Sequence, residues 1–479
     1  MKIKPDYTRG RGEALYAPQL QNEYWQSVAE GKDVEKYEKL FKAVEELPMD
    51  ENKVKMADVL FDLVLHAPMR EGYAYVEPSN LEGIKAQRPG AGKVCGADVC
   101  CDGTGGENSA ADETKAGTTI QKDVLREKIH GAWMGRICGC LLGKTVEGIK
   151  TDELIPLLEQ SGNYPMHRYI RSTDVTPEMK ENYRYFKQRW LIFYADQVSY
   201  MPFDDDTNYV VLAQTLIEKY GRNFTPYDVS QEWQRLQPMT SYYTAEAVAY
   251  RNFSLAIQPP DSAVYQNPFR EWIGAQIRGD YFGYINPGKP EEAAELAWRD
   301  ASISHVKNGI YGEMYVAAML ATAAVTDDIH EIIRGGMAQI PEKSRLYEHL
   351  ETVLGWYDSG VSEKECFDRI HEEWDEYTLY GWCHTISNAM VVTASLLYGG
   401  GDYGKSICLA VQTGYDTDCN GATVGSVIGM RGGISCIPEE WTQPIHGTLE
   451  STIFGMGKSA VTDLVDLTMK HVENGSFLS

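Results

Sequence analysis

Glycine recurs every fourth residue in two separate stretches of this chain, at 131, 135, 139 and 143 in HGAWMGRICGCLLGK and at 421, 425 and 429 in NGATVGSVIGMRGG. A four-residue step keeps each set on one face of a helix. Each helical glycine costs about 1 kcal/mol relative to alanine, so a ladder of them needs an offsetting gain, which a neighbouring backbone in close contact supplies. The two ladders are expected to face one another, antiparallel. The end of the first, near Glu147, then lies beside the start of the second, near Asp416.

Most other long segments also carry helical periodicity. In VEKYEKLFKAVEEL the apolar Tyr37, Leu40, Phe41, Val44 and Leu47 fall at three- and four-residue spacing, as one buried helix face requires. KMADVLFDLVLHAP, NYVVLAQTLIEKYG, GEMYVAAMLATAAV and ISNAMVVTASLLYG read the same way, and alternating strand patterns are scarce. The expectation is an all-α protein: a compact helical domain over 120–479, with a helical N-terminal extension over 1–87 packed on it. Residues 88–119 are rich in Gly, Ala and Asp with almost no large apolar side chain. They read as a flexible connection, because such a stretch buries too little surface to offset its ordering entropy. Its Cys95, Cys100 and Cys101 do not follow a zinc spacing.

Charge and hydropathy narrow the partners. Asp and Glu number 69 against 45 Lys and Arg, a net −24, so the surface repels nucleic acid and anionic membrane. The opening residues lack the apolar run of a signal peptide, and no run reaches the roughly 18 apolar residues of a membrane span. Cys138, Cys140, Cys383 and Cys408 sit in apolar, helix-like surroundings and read as buried free thiols. Together these predict a soluble, cytoplasmic protein without nucleic-acid or membrane partners.

The sharpest chemical feature is Asp204-Asp205-Asp206-Thr207, just ahead of an apolar helix. One Asp suffices to cap a helix, and three adjacent carboxylates repel one another unless a cation neutralises them. A second acidic pair, Asp416 and Asp418 in GYDTDCNGATVG, opens the second glycine helix. D-x-D-x-N-G imitates an EF-hand opening, but position 12 is Val427 where a bidentate Glu is required. Two groups of hard oxygen ligands instead suit Mg²⁺ or Mn²⁺. GCLLGKT is a near miss for a phosphate loop, with Cys138 in place of the first Gly. Neither G-x-S-x-G nor H-E-x-x-H occurs.

Three ordered blocks resemble the ADP-ribosylglycohydrolase family: HGAWMGRICGCLLGKTVEG, DDDTNYVVLAQTLIEKYG and TGYDTDCNGATVGSVIGMRGGISCIPEEW; YVEPSNLEGIKAQRP, EWIGAQIRGDYFGYINPG and SHVKNGIYGEM further resemble its large bacterial members. The resemblance implies an all-α fold around two Mg²⁺ ions (Mn²⁺ being the alternative) that hold the hydroxyls of a ribose. Carried over by position, Asp204, Asp205 and Asp206 match one ligand group, and Asp416 and Asp418 the other, with Asp418 also counted as catalytic. Glu147 falls where the family's loop glutamate activates water. His305 matches a substrate-contacting histidine, with Asn308 and Gly309 beside it in SHVKNG; Gly414 and Tyr415 precede the second ligand group. Three positions depart from the family pattern: Asp204 replaces a Thr, Cys140 an Asp, and Cys419 a hydroxyl ligand.

Hydrolysis of a riboside passes through an oxocarbenium-like transition state and needs an activated water. A metal pair and Glu147 as general base are expected to supply it. Tyr281, Phe282 and Tyr284 in DYFGYINPG are candidates to stack on a base or sugar, with Gly283 between them as a further substrate contact and core packing as the other reading for the aromatics. His384 and Asn388 are read as structural. The expected activity is cleavage of an N- or O-glycosidic bond in an ADP-ribosylated acceptor or a small-molecule riboside. The competing readings are a ribosidase acting on a nucleoside-like N-glycoside and a catalytically silent binding or structural protein.

Overall fold

The structure, a computed structural model, describes residues 5–91, 120–189 and 191–475. Most of the 88–119 connection, with Cys95, Cys100 and Cys101, lies outside the described residues. The chain is built almost wholly from helices. Strand structure among the described residues is a short hairpin, Thr448–Glu450 against Lys458–Ala460, paired antiparallel with Leu449 opposite Ser459. No helix among them is long and apolar enough to cross a membrane.

The glycine ladders fall on the helices Lys122–Lys144 and Thr417–Gly432. They meet residue for residue. A Cβ at Gly131 would strike the Gly429 carbonyl, one at Gly135 the Gly425 carbonyl, and one at Gly139 the Gly421 carbonyl. The numbers rise along one helix as they fall along the other, so the pair is antiparallel. At the far end Gly143 abuts the backbone of Thr417 and Asp418, and the Thr417 hydroxyl donates to the Gly143 carbonyl at 2.9 Å. The end of one helix is thereby tied to the start of the other.

Around this pair pack two helices that are apolar nearly all round, Lys307–Ala323 and Thr385–Gly399, and almost every residue of both is buried. All-round apolarity is the mark of a helix with no solvent face. Cys138, Cys140, Cys366, Cys383, Cys408 and Cys419 are buried free thiols.

The N-terminal helices Leu20–Ala29, Glu38–Glu45 and Glu51–Leu65 share an apolar cluster of their own around Leu20, Phe41, Val44 and Leu60. Buried charge joins them to the rest of the chain. Arg270 pairs with Glu23 at 3.0 Å and with Glu30 at 2.6 Å, and Arg345 pairs with Glu77 and Glu271, each at 2.8 Å. Removing one partner of such a pair strands a buried charge, a loss of about 3–5 kcal/mol.

Candidate active site

Two helix starts and one helix end converge on a cavity of about 530 Å³, lined by Lys144, Glu147, Asp204, Asp205, Asp416 and Asp418 among others. The first start is Asp205–Tyr220. Asp204 is its N-cap in extended conformation, and its carboxylate accepts the Asp206 N–H at 3.0 Å. The other Asp204 oxygen holds the Lys144 ammonium. Asp205 lines the cavity directly. Asp206 is fully buried, and Arg136 grips it, donating to its carboxylate and to its carbonyl at 2.9 Å each. Arg136 Nη1 also lies 3.0 Å from Asp280 Oδ2.

The second start is Thr417–Gly432, reached through a strained turn. Gly414 and Tyr415 both have positive φ, 79° and 57°, a conformation that costs a non-glycine residue roughly 1–3 kcal/mol. Tyr415 is held there by its own side chain, whose hydroxyl donates to the Trp374 carbonyl at 2.7 Å while the ring stacks on His371. Next comes Asp416, whose N–H donates to Asn388 Oδ1 at 3.2 Å; the same oxygen accepts from Asn420 Nδ2 at 2.8 Å. Asn388 thus positions the turn. Glu147 follows the end of the first glycine helix, where Arg189 binds its carboxylate at 3.0 Å and its carbonyl at 2.6 Å.

Electrostatically the site is short of positive charge. Burial, followed by repulsion from Asp204 and Asp206, pushes Asp205 well above the usual carboxylate range. Burial and the neighbouring charges do the same to Asp206, against the pull of Arg136. Burial and then Glu147 push Asp418 up, and push Asp416 up to about 7. Asp204 alone moves the other way: burial opposes ionisation, but Lys144 outweighs it.

The donor set fits a divalent cation. Asp206 Oδ2 and Asp418 Oδ1 are buried and have no hydrogen-bond partner, a cost that a proton or a bound cation relieves. Ligand atoms of Asp206, Asp418 and Cys419 all lie within 4.8 Å of one another, as do those of Cys140, Asp204 and Asp206. Burial and the surrounding aspartates push both thiols well above their ordinary range, and hard divalent cations prefer carboxylate oxygen to thiol sulfur. Such a set suits Mg²⁺ or Mn²⁺.

A family model for ADP-ribosylglycohydrolases matches residues 121–474. The chain belongs to the ADP-ribosylglycohydrolase family. Family membership supports a glycohydrolase-type function. Among solved structures, an ADP-ribosylglycohydrolase-related protein complex is similar over 74% of this chain and 99% of that one, at 16% identity and a TM-score of 0.43. No curated protein matches the chain significantly.

The structure brings Glu147, Asp204, Asp205, Asp206, Asp416 and Asp418 together. It does not bring the other expected contacts to this cavity. Phe282 stacks on Phe224 in the core with centroids 5.6 Å apart, and Gly283 lets its helix approach the Ala317 carbonyl. The Tyr284 hydroxyl pairs with Ser426 at 2.7 Å, deep in the interior. His305 Nδ1 pairs with the Ser304 hydroxyl at 2.8 Å, and Asn308 bridges Glu77 and Glu271. Gly309 packs under the Arg270 carbonyl. All six are buried and none lines the cavity. Gly414 and Tyr415 shape the turn through their backbone.

Sequence reasoning missed Lys144, Arg136, Arg189, Glu246, Tyr243 and the two N-terminal residues Glu13 and Gln19, which also line or support the site. Arg136 left one signal, an arginine inside a glycine-striped stretch, 131–143, in which every residue is buried.

Proposed function

We propose that this chain is a metal-dependent glycoside hydrolase acting on a ribosyl substrate, with Asp204, Asp205, Asp206, Asp416 and Asp418 as the acidic floor and Glu147 as general base. The observation that carries this reading is that ligand atoms of Asp206 and Asp418, each of which has a buried unpartnered oxygen, lie within 4.8 Å of each other beside a ligand-sized cavity that Asp418 and Glu147 line.

A bound divalent cation would fix the sugar hydroxyls and lower the pKa of a coordinated water. The protein's own groups do the rest. Arg136 locks Asp206 in one rotamer, and Arg189 holds the Glu147 carboxylate in place. Glu147 takes the proton of the attacking water as the glycosidic bond breaks. The acidic floor favours the positive charge that develops on the sugar ring in that step.

A screen of ADP-ribosylated protein and free ribosides, with Mg²⁺ and with a chelator, tests the reading. Cleavage that requires the metal and is lost in Glu147→Gln is expected. Metal-independent cleavage, or none of any riboside, would contradict it.

A further inference from the structure

The N-terminal helix Leu20–Ala29 is patterned inside out. It buries Glu23, Gln26 and Ser27, with Glu23 on Arg270, and leaves its largest ring, Trp25, 38% exposed. A single exposed ring needs no explanation, but a group of them does. Trp25 is one of a group. With Tyr24 beside it, and with Trp374 and Tyr380 from the main domain, it lines a cleft of about 440 Å³ between the extension and segment 373–381. The Trp25 and Tyr380 ring centroids lie 6.1 Å apart and tilted by 58°, and Tyr380 lies 6.2 Å from Trp374 at 19°.

The rings are held in place before any ligand arrives. Trp374 closes the helix Glu363–Glu373, its N–H on the Ile370 carbonyl at 2.8 Å, and Tyr380 belongs to the short helix Leu379–Cys383. The buried His384 ring backs both, 4.9 Å from each. Two carboxylates, Glu373 and Asp375, stand at the same cleft, and no Lys or Arg is among its described lining residues. Glu373 lies 2.7 Å from His349 Nε2. Asp375 accepts the Tyr377 N–H at 2.9 Å and makes no ion pair among the described residues. These carboxylates repel an anion and add nothing for an uncharged apolar group. A cation gains from the rings and from the carboxylates together. A bare ammonium gives up strong hydrogen bonds to water on entering such a cleft, whereas a methylated one has few to lose and offers apolar surface to the rings.

We propose that this cleft is a second ligand site for a small organic cation with a methylated ammonium head, seated among Tyr24, Trp25, Trp374 and Tyr380 with Glu373 and Asp375 as its counter-charge. It shares no lining residue with the acidic cavity but stands back to back with it. Tyr380 and Gly381 line the cleft, while Leu379, Trp382 and Cys383 of the same short helix line the cavity.

Calorimetric titration of the full chain with choline, and with dimethylbutanol as its uncharged carbon isostere, tests the site. Choline should bind saturably and about tenfold or more tightly than the isostere. Trp25→Leu, at an exposed position, should weaken choline about fivefold or more. Asp375→Asn keeps an acceptor for the Tyr377 N–H and should weaken choline while leaving the isostere unchanged. Phe203→Leu, which changes an exposed ring lining the acidic cavity, should leave choline affinity as it is. No saturable choline binding, equal binding of the isostere, or choline binding that survives both cleft substitutions would overturn the proposal. Binding lost in Phe203→Leu would overturn it too, by putting the cation in the acidic cavity.

Discussion

Gly139 and Gly421 lie against each other so closely that a Cβ on either would run into the other's carbonyl oxygen. The contact sits in the middle of two ladders that bring Lys144 and Glu147, at the end of one helix, to Asp416 and Asp418, at the start of the other. A backbone-to-backbone contact cannot yield as a flexible side chain would. Gly139→Val should therefore destabilise the fold by about 3 kcal/mol or more, read by chemical denaturation. A loss under about 1 kcal/mol would mean that the ladders do not set the helix separation.

Lys144 places a positive charge on Asp204 inside the acidic floor. Burial opposes its charge, but Asp204, Cys140 and Asp418 around it outweigh that and push its ammonium above its ordinary range. Lys144→Met should destabilise the metal-free protein by about 3–5 kcal/mol, since Asp204 then lacks its partner. Added Mg²⁺ should recover a large part of that loss. Thermal melts with and without the cation check both statements.

Glu246 supplies a pH signature. Burial pushes its carboxyl up to about 7, with Arg278, 2.8 Å away, opposing the shift. A carboxyl that holds its proton more tightly when folded stabilises the fold at low pH. That contribution is complete below the ordinary value of 4.5 and is lost as pH rises through about 7. Between those values the wild type should lose stability relative to Glu246→Gln by up to about 1.4 kcal/mol per pH unit. Parallel stability curves for the two proteins would contradict it.

Glu147→Gln should lower kcat by about 10²- to 10⁴-fold while leaving metal affinity close to wild type, because Arg189 can hold the amide oxygen where it held the carboxylate. Steady-state kinetics beside a metal titration decide this. A fall in metal affinity that matches the fall in kcat would make Glu147 a ligand instead of a base.

What was legible in the sequence was what repeats or clusters locally. The glycine steps announced a close helix pair, and the two Asp groups announced helix starts with more charge than capping needs. Lys144 and Arg189 were not legible as site residues, because their partners lie 60 and 42 positions away and no local pattern encodes that contact. Phe282 and Tyr284 were placed at the substrate because aromatic side chains near glycine suit a binding loop as well as a packed core, and His305 because its position resembles that of a substrate-contacting histidine in the family. Burial decides between the two, and burial is a property of the assembled helices.

The chemistry of the site turns on whether the acidic floor holds a metal. Calorimetric titration of Mg²⁺ into the wild type and into Asp418→Ala tests this most directly. Saturable binding in the wild type that is lost or greatly weakened in Asp418→Ala is the predicted result. Identical titrations of the two proteins, with or without heat, would contradict it.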